Sequence, residues 1–293
     1  MKKQLIYSLI AFLFAGSLIA QQTPAPKQTK AFTIVGATAH LGNGKVIDNS
    51  LIIFKDGKLS YVGTANVKRM YEGTIIQAQG KHVYPGFIAT NASLGLAEVD
   101  AVRATVDVDE VGSMLPHIRS LIAYNAESKV IESMRPNGVL MAEIAPRGGT
   151  ISGTASVTQL DAWNWEDAAV KADHGIHMNW PGSFTSGRWW LGEDPALKPD
   201  KNYPKNIQMV ADYFANAKMY LNGDRSEKNI AYEAMDGLFN GKQKLFIHVS
   251  GQREITDAIN TAKEAGINDL VLVHATEAEK VADLLVKHNI PVI

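Results

Sequence analysis

Residues 244–293 read KLFIHVSGQREITDAINTAKEAGINDLVLVHATEAEKVADLLVKHNIPVI. Two short apolar runs, residues 245–249 and 270–275, flank a segment in which Ile255, Ala258, Ile259, Ala262 and Ala265 recur at helical spacing. Thr276 followed three residues later by Glu279 has the spacing of a capping box, and Val281, Leu284 and Leu285 supply an inward face behind it. A third apolar run, residues 290–293, closes the stretch. Strand, helix, strand, helix, strand at about 25-residue spacing predicts a parallel (β/α) repeat, and in a chain of this length a (β/α)8 TIM-type barrel. About seven strands are expected before Ile293. A parallel strand at an open edge leaves backbone groups unpaired, so the expectation is either a truncated record lacking the last barrel strand or a partner that closes the sheet.

His248 and His274 stand near the C-terminal ends of the two runs. In a parallel barrel those ends open onto one mouth, where such barrels keep their active sites. Two neutral imidazoles there form half of a zinc site; the alternative is two polar residues satisfied at strand ends.

Working outward, the chain begins with Lys2 and Lys3, an apolar run over residues 5–19 and then Ala20, the pattern of a secretory signal over residues 1–20. An exported protein, periplasmic or secreted, with no membrane span in the mature chain, is expected. Residues 21–31 read as a linker. Residues 32–84 carry short β-type runs broken by turns, with Asp56-Gly57 as a hairpin signal, and are assigned to a small antiparallel β-sandwich part. Residues 85–293 are assigned to the barrel. The chain has no cysteine, which excludes thiolate metal sites, disulfides and a cysteine nucleophile. Its 29 basic and 30 acidic residues are spread along the chain, so there is no electrostatic footprint for nucleic acid and a small-molecule substrate is the expected partner.

The stretch GKHVYPGFIATNAS, residues 80–93, resembles the entry segment of the amidohydrolase superfamily, especially its imidazolonepropionase-like exported members. There Pro-Gly-Phe-Ile leads into a first barrel strand bearing Asp-x-His-x-His. The tail quoted above resembles the fifth to seventh strands of the same family, with His248 and His274 at two metal-ligand positions. The resemblance implies a divalent metal, zinc in the first instance, and hydrolysis of carbon–nitrogen bonds outside peptides, of the cyclic-amide kind. The departures are specific. The two first-strand histidines fall on Asn91 and Ser93, the preceding aspartate falls on Ala89, and the eighth-strand catalytic aspartate would lie beyond Ile293. Asn and Ser are poor zinc ligands beside imidazole. The alternative function is therefore a catalytically inactive homologue serving as a binding or assembly subunit, as a homo-oligomer or beside a paralogue.

Glu143, in GVLMAEIAP, is a candidate extra ligand, against a plain hydrogen-bonded or exposed strand residue. Arg147 opens a glycine-rich loop, RGGTISG, that lacks the phosphate-loop pattern; it is a candidate for meeting an anionic substrate group. His174 and His177, three apart, read as surface residues, as does the acidic group Asp100, Asp107, Asp109 and Glu110. The five tryptophans, Trp163, Trp165, Trp180, Trp189 and Trp190, either line a pocket or pack an irregular insertion; a sugar- or peptide-binding module is a third functional reading.

Overall fold

The computed structural model describes residues 23–65 and 70–293; the expected signal segment lies outside them. The chain divides between Phe87 and Ile88 into two compact units.

In the first unit, β1 (Phe32–His40) alternates strictly, burying Thr33, Val35, Ala37 and Ala39 on one face, as a half-buried strand must. β2 (Val46–Lys55) and β3 (Lys58–Thr64) form the expected hairpin. Its turn residues Asp56 and Gly57 have φ of 54° and 70°, the left-handed pair that two-residue hairpins require. β4 (Thr74–Gln77) and β5 (His82–Val83) complete a sheet ordered β3-β2-β1-β4, with β5 also on β1. It is mixed rather than purely antiparallel, because the chain returning at Glu72 is pinned to Thr33 and runs parallel to β1 from Thr74 on. Val35, Leu51 and Ile53 form its core.

The second unit is built on a six-stranded sheet ordered β13-β12-β9-β8-β7-β6. Its strands are β6 (Phe87–Ala92), β7 (Val139–Ile144), β8 (Ile151–Gln159), β9 (Ala169–Asn179), β12 (Lys244–Val249) and β13 (Leu270–His274). A short ribbon, β10 (Phe184–Thr185) with β11 (Lys198–Pro199), lies apart from it. The helices are α1 (Lys129–Met134), α2 (Trp165–Ala168), α3 (Tyr203–Asn222), α4 (Ile230–Glu233), α5 (Asp236–Phe239), α6 (Gln252–Ala265) and α7 (Ala282–His288).

β9, β12 and β13 are parallel, as the repeat predicts. β8 is antiparallel to both β7 and β9, which corrects the expectation of a uniform (β/α) repeat. The cause is connection length: residues 145–150 link β7 to β8, too few for a parallel crossover, which takes about a dozen or more residues. Two antiparallel steps restore direction, so β7, β9, β12 and β13 all point the same way. The seventh strand expected at residues 290–293 is present only as an isolated parallel bridge from Val292 to Leu272.

Leu245, Ile247 and Val249 alternate toward the helices, joining Phe214 of α3 and Ile255, Ala258, Ile259 and Ala262 of α6 in the main core. Each such large aliphatic side chain contributes about 1.5–3 kcal/mol by leaving water. Phe246, Val271 and Val273 form a separate cluster from the intervening positions. The expected Thr276 capping box does not form. Chain direction reverses through His274 and Ala275, both at positive φ, and the next turn is a 3-10 segment from Ala278 with no side-chain cap. Glu277 instead accepts from the backbone N–H of Gln252 and so caps α6. No helix among the described residues is long and apolar enough to cross a membrane.

Candidate functional site

The shared direction of β7, β9, β12 and β13 brings Glu143, His177, His248 and His274 to the same end of the sheet. His177 occupies the register position opposite Phe246, its ring stacked on that phenyl at 4.5 Å between centroids. It is 0% exposed, and the His174 side chain is only 16% exposed, so the assignment of this pair to the surface is overturned. His177 Nδ1 lies 3.0 Å from His248 Nε2, and its Nε2 lies 3.4 Å from Glu143 Oε1.

Glu143 is 3% exposed. Burial pushes its carboxyl up, but the His177 hydrogen bond and charge, the Asn91 N–H and His174 outweigh that and hold it below the usual range. An ionised Glu143 only accepts, so His177 Nε2–H donates to it, and in the neutral ring this leaves His177 Nδ1 as an acceptor. His248 Nε2–H must then donate to His177, which leaves His248 Nδ1 with its lone pair. Burial, with the neighbouring His177, Arg147 and His274, pushes the His248 imidazole down to about 3, so it stays neutral near pH 7. His174 lies 3.8 Å from the same carboxylate, with its Nδ1 buried and unpartnered. His274, exposed and at φ 70°, is turned so that its ring sits 5.5 Å from that of His248.

The first-strand side of the site is held differently. Asn91 sits at the end of β6 with φ 49°, a conformation Asn tolerates better than most side chains. Its backbone N–H donates to Glu143 Oε2 at 3.0 Å. Its carbonyl and Oδ1 accept from the two terminal nitrogens of Arg147, at 2.7 and 2.8 Å. Arg147 is placed by the loop that follows β7. Its own N–H donates to Val108, and Asn179 Nδ2 donates to the carbonyls of Gly148 and Gly149, both at positive φ. Burial lowers the guanidinium's pKa and Glu143 raises it. Ser93 lies past β6, where its carbonyl closes a turn onto Leu96 and Ala97, and its hydroxyl takes no part in this network.

His248 and His274 are thus the imidazoles available to a metal. Among the described residues, no group of three or more His, Asp or Glu side chains converges closely enough to hold an ion. Glu143 is committed to His177 and Asn91, and Asn91 Oδ1 to Arg147. A catalytic zinc takes three protein ligands and an open position, so this donor set does not fit one.

Asn91, Glu143, Arg147, His248 and His274 are brought together, and Ser93 is not. Sequence reasoning missed His177. Reading GIHMN as a strand parallel to LFIHV was the signal that would have found it. The tryptophans divide. Trp180 is buried, its Nε1–H directed at the Tyr203 hydroxyl, and Trp165, the first residue of α2, packs against the cluster that holds Leu121, Ile131 and Ile144, whereas Trp189 and Trp190 are 71% and 65% exposed. Asp100, Asp107, Asp109 and Glu110 are exposed, as expected.

No protein-family model matches the sequence, and no curated protein matches it. Solved structures do. The chain is similar to an amidohydrolase from Thermotoga maritima, at 23% identity and a TM-score of 0.74, over 89% of this chain and 69% of that one. It also matches a prolidase complexed with N-methylphosphonate-L-proline, at 13% identity and a TM-score of 0.47, over 89% of this chain and 65% of that one. A variant of N-acetyl-D-glucosamine-6-phosphate deacetylase from Mycobacterium smegmatis matches at 14% identity and 0.30, over 85% of this chain and 50% of that one. The latter two likenesses are too low to carry weight; the first shows a shared fold. The amidohydrolase resemblance of the sequence and this neighbour agree: the chain has the amidohydrolase fold.

Proposed function

We propose that this chain is an amidohydrolase homologue that works as a binding or assembly subunit, taking a small molecule at the barrel mouth without turning it over. The observation that carries this reading is the commitment of the first-strand position. Asn91 stands where the resemblance calls for a ligating imidazole, and its side-chain oxygen is taken by Arg147. Export to the periplasm or beyond, and assembly as a homo-oligomer or beside a paralogue with the full ligand set, belong to the same reading.

A second reading is hydrolysis of carbon–nitrogen bonds in cyclic amides with a divalent metal. The adjacency of His248 and His274 favours it, with the buried carboxylate of Glu143 orienting His248 through His177. The discriminating experiment is a turnover screen of the full chain against cyclic amides, with and without added zinc. The proposed function predicts no hydrolysis above buffer in either condition. Turnover that disappears in His248→Ala establishes the second reading and overturns the first.

A further inference from the structure

We infer that Arg147 is the resident cation of this barrel mouth, its guanidinium occupying the first-strand donors and balancing Glu143 where the fold family carries a divalent metal. The inference deepens the reading above and rests on the misfit between the donor set and a catalytic metal.

Three observations converge on it. Asn91 is a bridge: its N–H serves the Glu143 carboxylate, while its carbonyl and Oδ1 serve Arg147. These three groups thus link one carboxylate to one guanidinium. No carboxylate lies within 4.0 Å of Arg147 among the ion pairs of the described residues, so this half-buried cation meets its counter-charge through Asn91 rather than directly. The loop that delivers it is fixed rather than incidental. Gly148 has φ 76° and Gly149 φ 57°, a Cβ on Gly149 would come within 2.9 Å of the Ser113 carbonyl, and Asn179 holds both glycine carbonyls.

Charge arithmetic gives the consequence. Arg147 supplies the positive charge that faces the Glu143 carboxylate across Asn91. A divalent ion added beside it faces repulsion from a fixed positive charge in a partly desolvated setting, where such terms far exceed their value in water. Arginine suits this task better than lysine, because its planar fork reaches the carbonyl and Oδ1 of Asn91 together and it does not lose its proton.

The test is zinc binding to the full chain by calorimetry and elemental analysis, with zinc alone as the probe. The wild-type protein and His248→Ala are expected to take up the same amount of zinc, counting surface sites only. Asn91→His combined with Arg147→Met is expected to gain about one zinc per chain that adding His248→Ala removes. Asn91→His with Arg147 kept is expected to bind it at least about tenfold more weakly. Arg147→Lys in the Asn91→His background, retaining charge without the fork, is expected to oppose zinc less than Arg147 and more than Arg147→Met. A wild-type zinc that His248→Ala removes overturns the inference, and needs no Arg147 variant to fold. Equal affinity in Asn91→His with and without Arg147 also overturns it. Metal-free turnover of a cyclic amide would instead sink the non-catalytic reading and leave the Arg147 assignment standing.

Discussion

The two halves of the barrel unit are built on different terms. In the half formed by β9, β12 and β13, strands are parallel, helices of 20 and 14 residues cover them, and aliphatic side chains interlock on the helix side. In the half formed by β6, β7 and β8, the β7–β8 connection is short, β8 runs backward, and helical cover shrinks to α1 and α2, six and four residues long. The first half presents His248 and His274, with rings 5.5 Å apart. The second presents Asn91, Glu143 and Arg147, tied to one another. The difference teaches that the scaffold of a fold and the chemistry of its site can be kept separately. The parallel half presents neighbouring imidazoles at its strand ends, while the other half ties its strand-end groups into an internal charge network.

The largest expected effect tests that network. Glu143→Ala leaves the Asn91 N–H and the His177 Nε2–H without an acceptor and Arg147 without its balance, and urea unfolding is expected to show a loss of about 3–4 kcal/mol. A loss under about 1 kcal/mol would mean that the network is not structural. The matching change in the parallel half is Leu272→Ala, at a fully buried position in the main core, with an expected cost of about 3 kcal/mol by the same measurement. The contrast sharpens with pH. Leu272→Ala should cost the same at pH 7 and in acid, whereas the cost of Glu143→Ala should stay constant down to the unfolded carboxylate value of about 4.3 and shrink only below it, because the folded Glu143 carboxyl is held lower still.

Acid dependence follows from the site itself. The folded His248 titrates at about 3, whereas a histidine in the unfolded chain titrates near about 6.5. Between those values the unfolded chain takes up a proton that the folded one refuses, so stability falls as pH falls through that window. Glu143, held below its ordinary value, works in the same direction lower in the range, because its stabilising charge is lost on protonation. Allowing for solvent screening at His248, the loss from this residue is on the order of 2 kcal/mol between pH 7 and pH 4. His248→Gln should flatten that slope; an unchanged slope would remove the imidazole as its source. The smallest effect is expected from Trp189→Ala on the exposed insertion, within about 0.5 kcal/mol of wild type by thermal melt.

Much of the parallel half was legible from sequence. The inward positions of α6 fall where the spacing of Ile255, Ala258, Ile259 and Ala262 puts them. His248 and His274 share the expected strand ends but stand one residue out of register, His274 opposite Val249, and their rings meet because the backbone turns at His274 with φ 70°. His177 was not legible. Its strand, AVKADHGIHMN, is polar over its first half, and the i, i+3 pair with His174 suggested a surface rather than a buried register position. The reversal at β8 was hidden for a related reason: RGGTISG reads as one glycine-rich loop, yet its last three residues already belong to β8, which leaves a connection too short for a crossover. The loss of imidazole at Asn91 could be read directly. Its capture by Arg147 could not, because the two are 56 residues apart and meet only once β6 and β7 are placed side by side.

The central claim, that the first-strand side of the mouth is held by Arg147 rather than by a metal, is tested most directly by diffraction from crystals of the full chain grown with zinc, with data at the zinc edge. The account predicts no anomalous peak between His248 and His274, with the Arg147 guanidinium on Asn91. A full-occupancy peak about 2.1 Å from imidazole nitrogens of both histidines, with Arg147 displaced from Asn91, would contradict it.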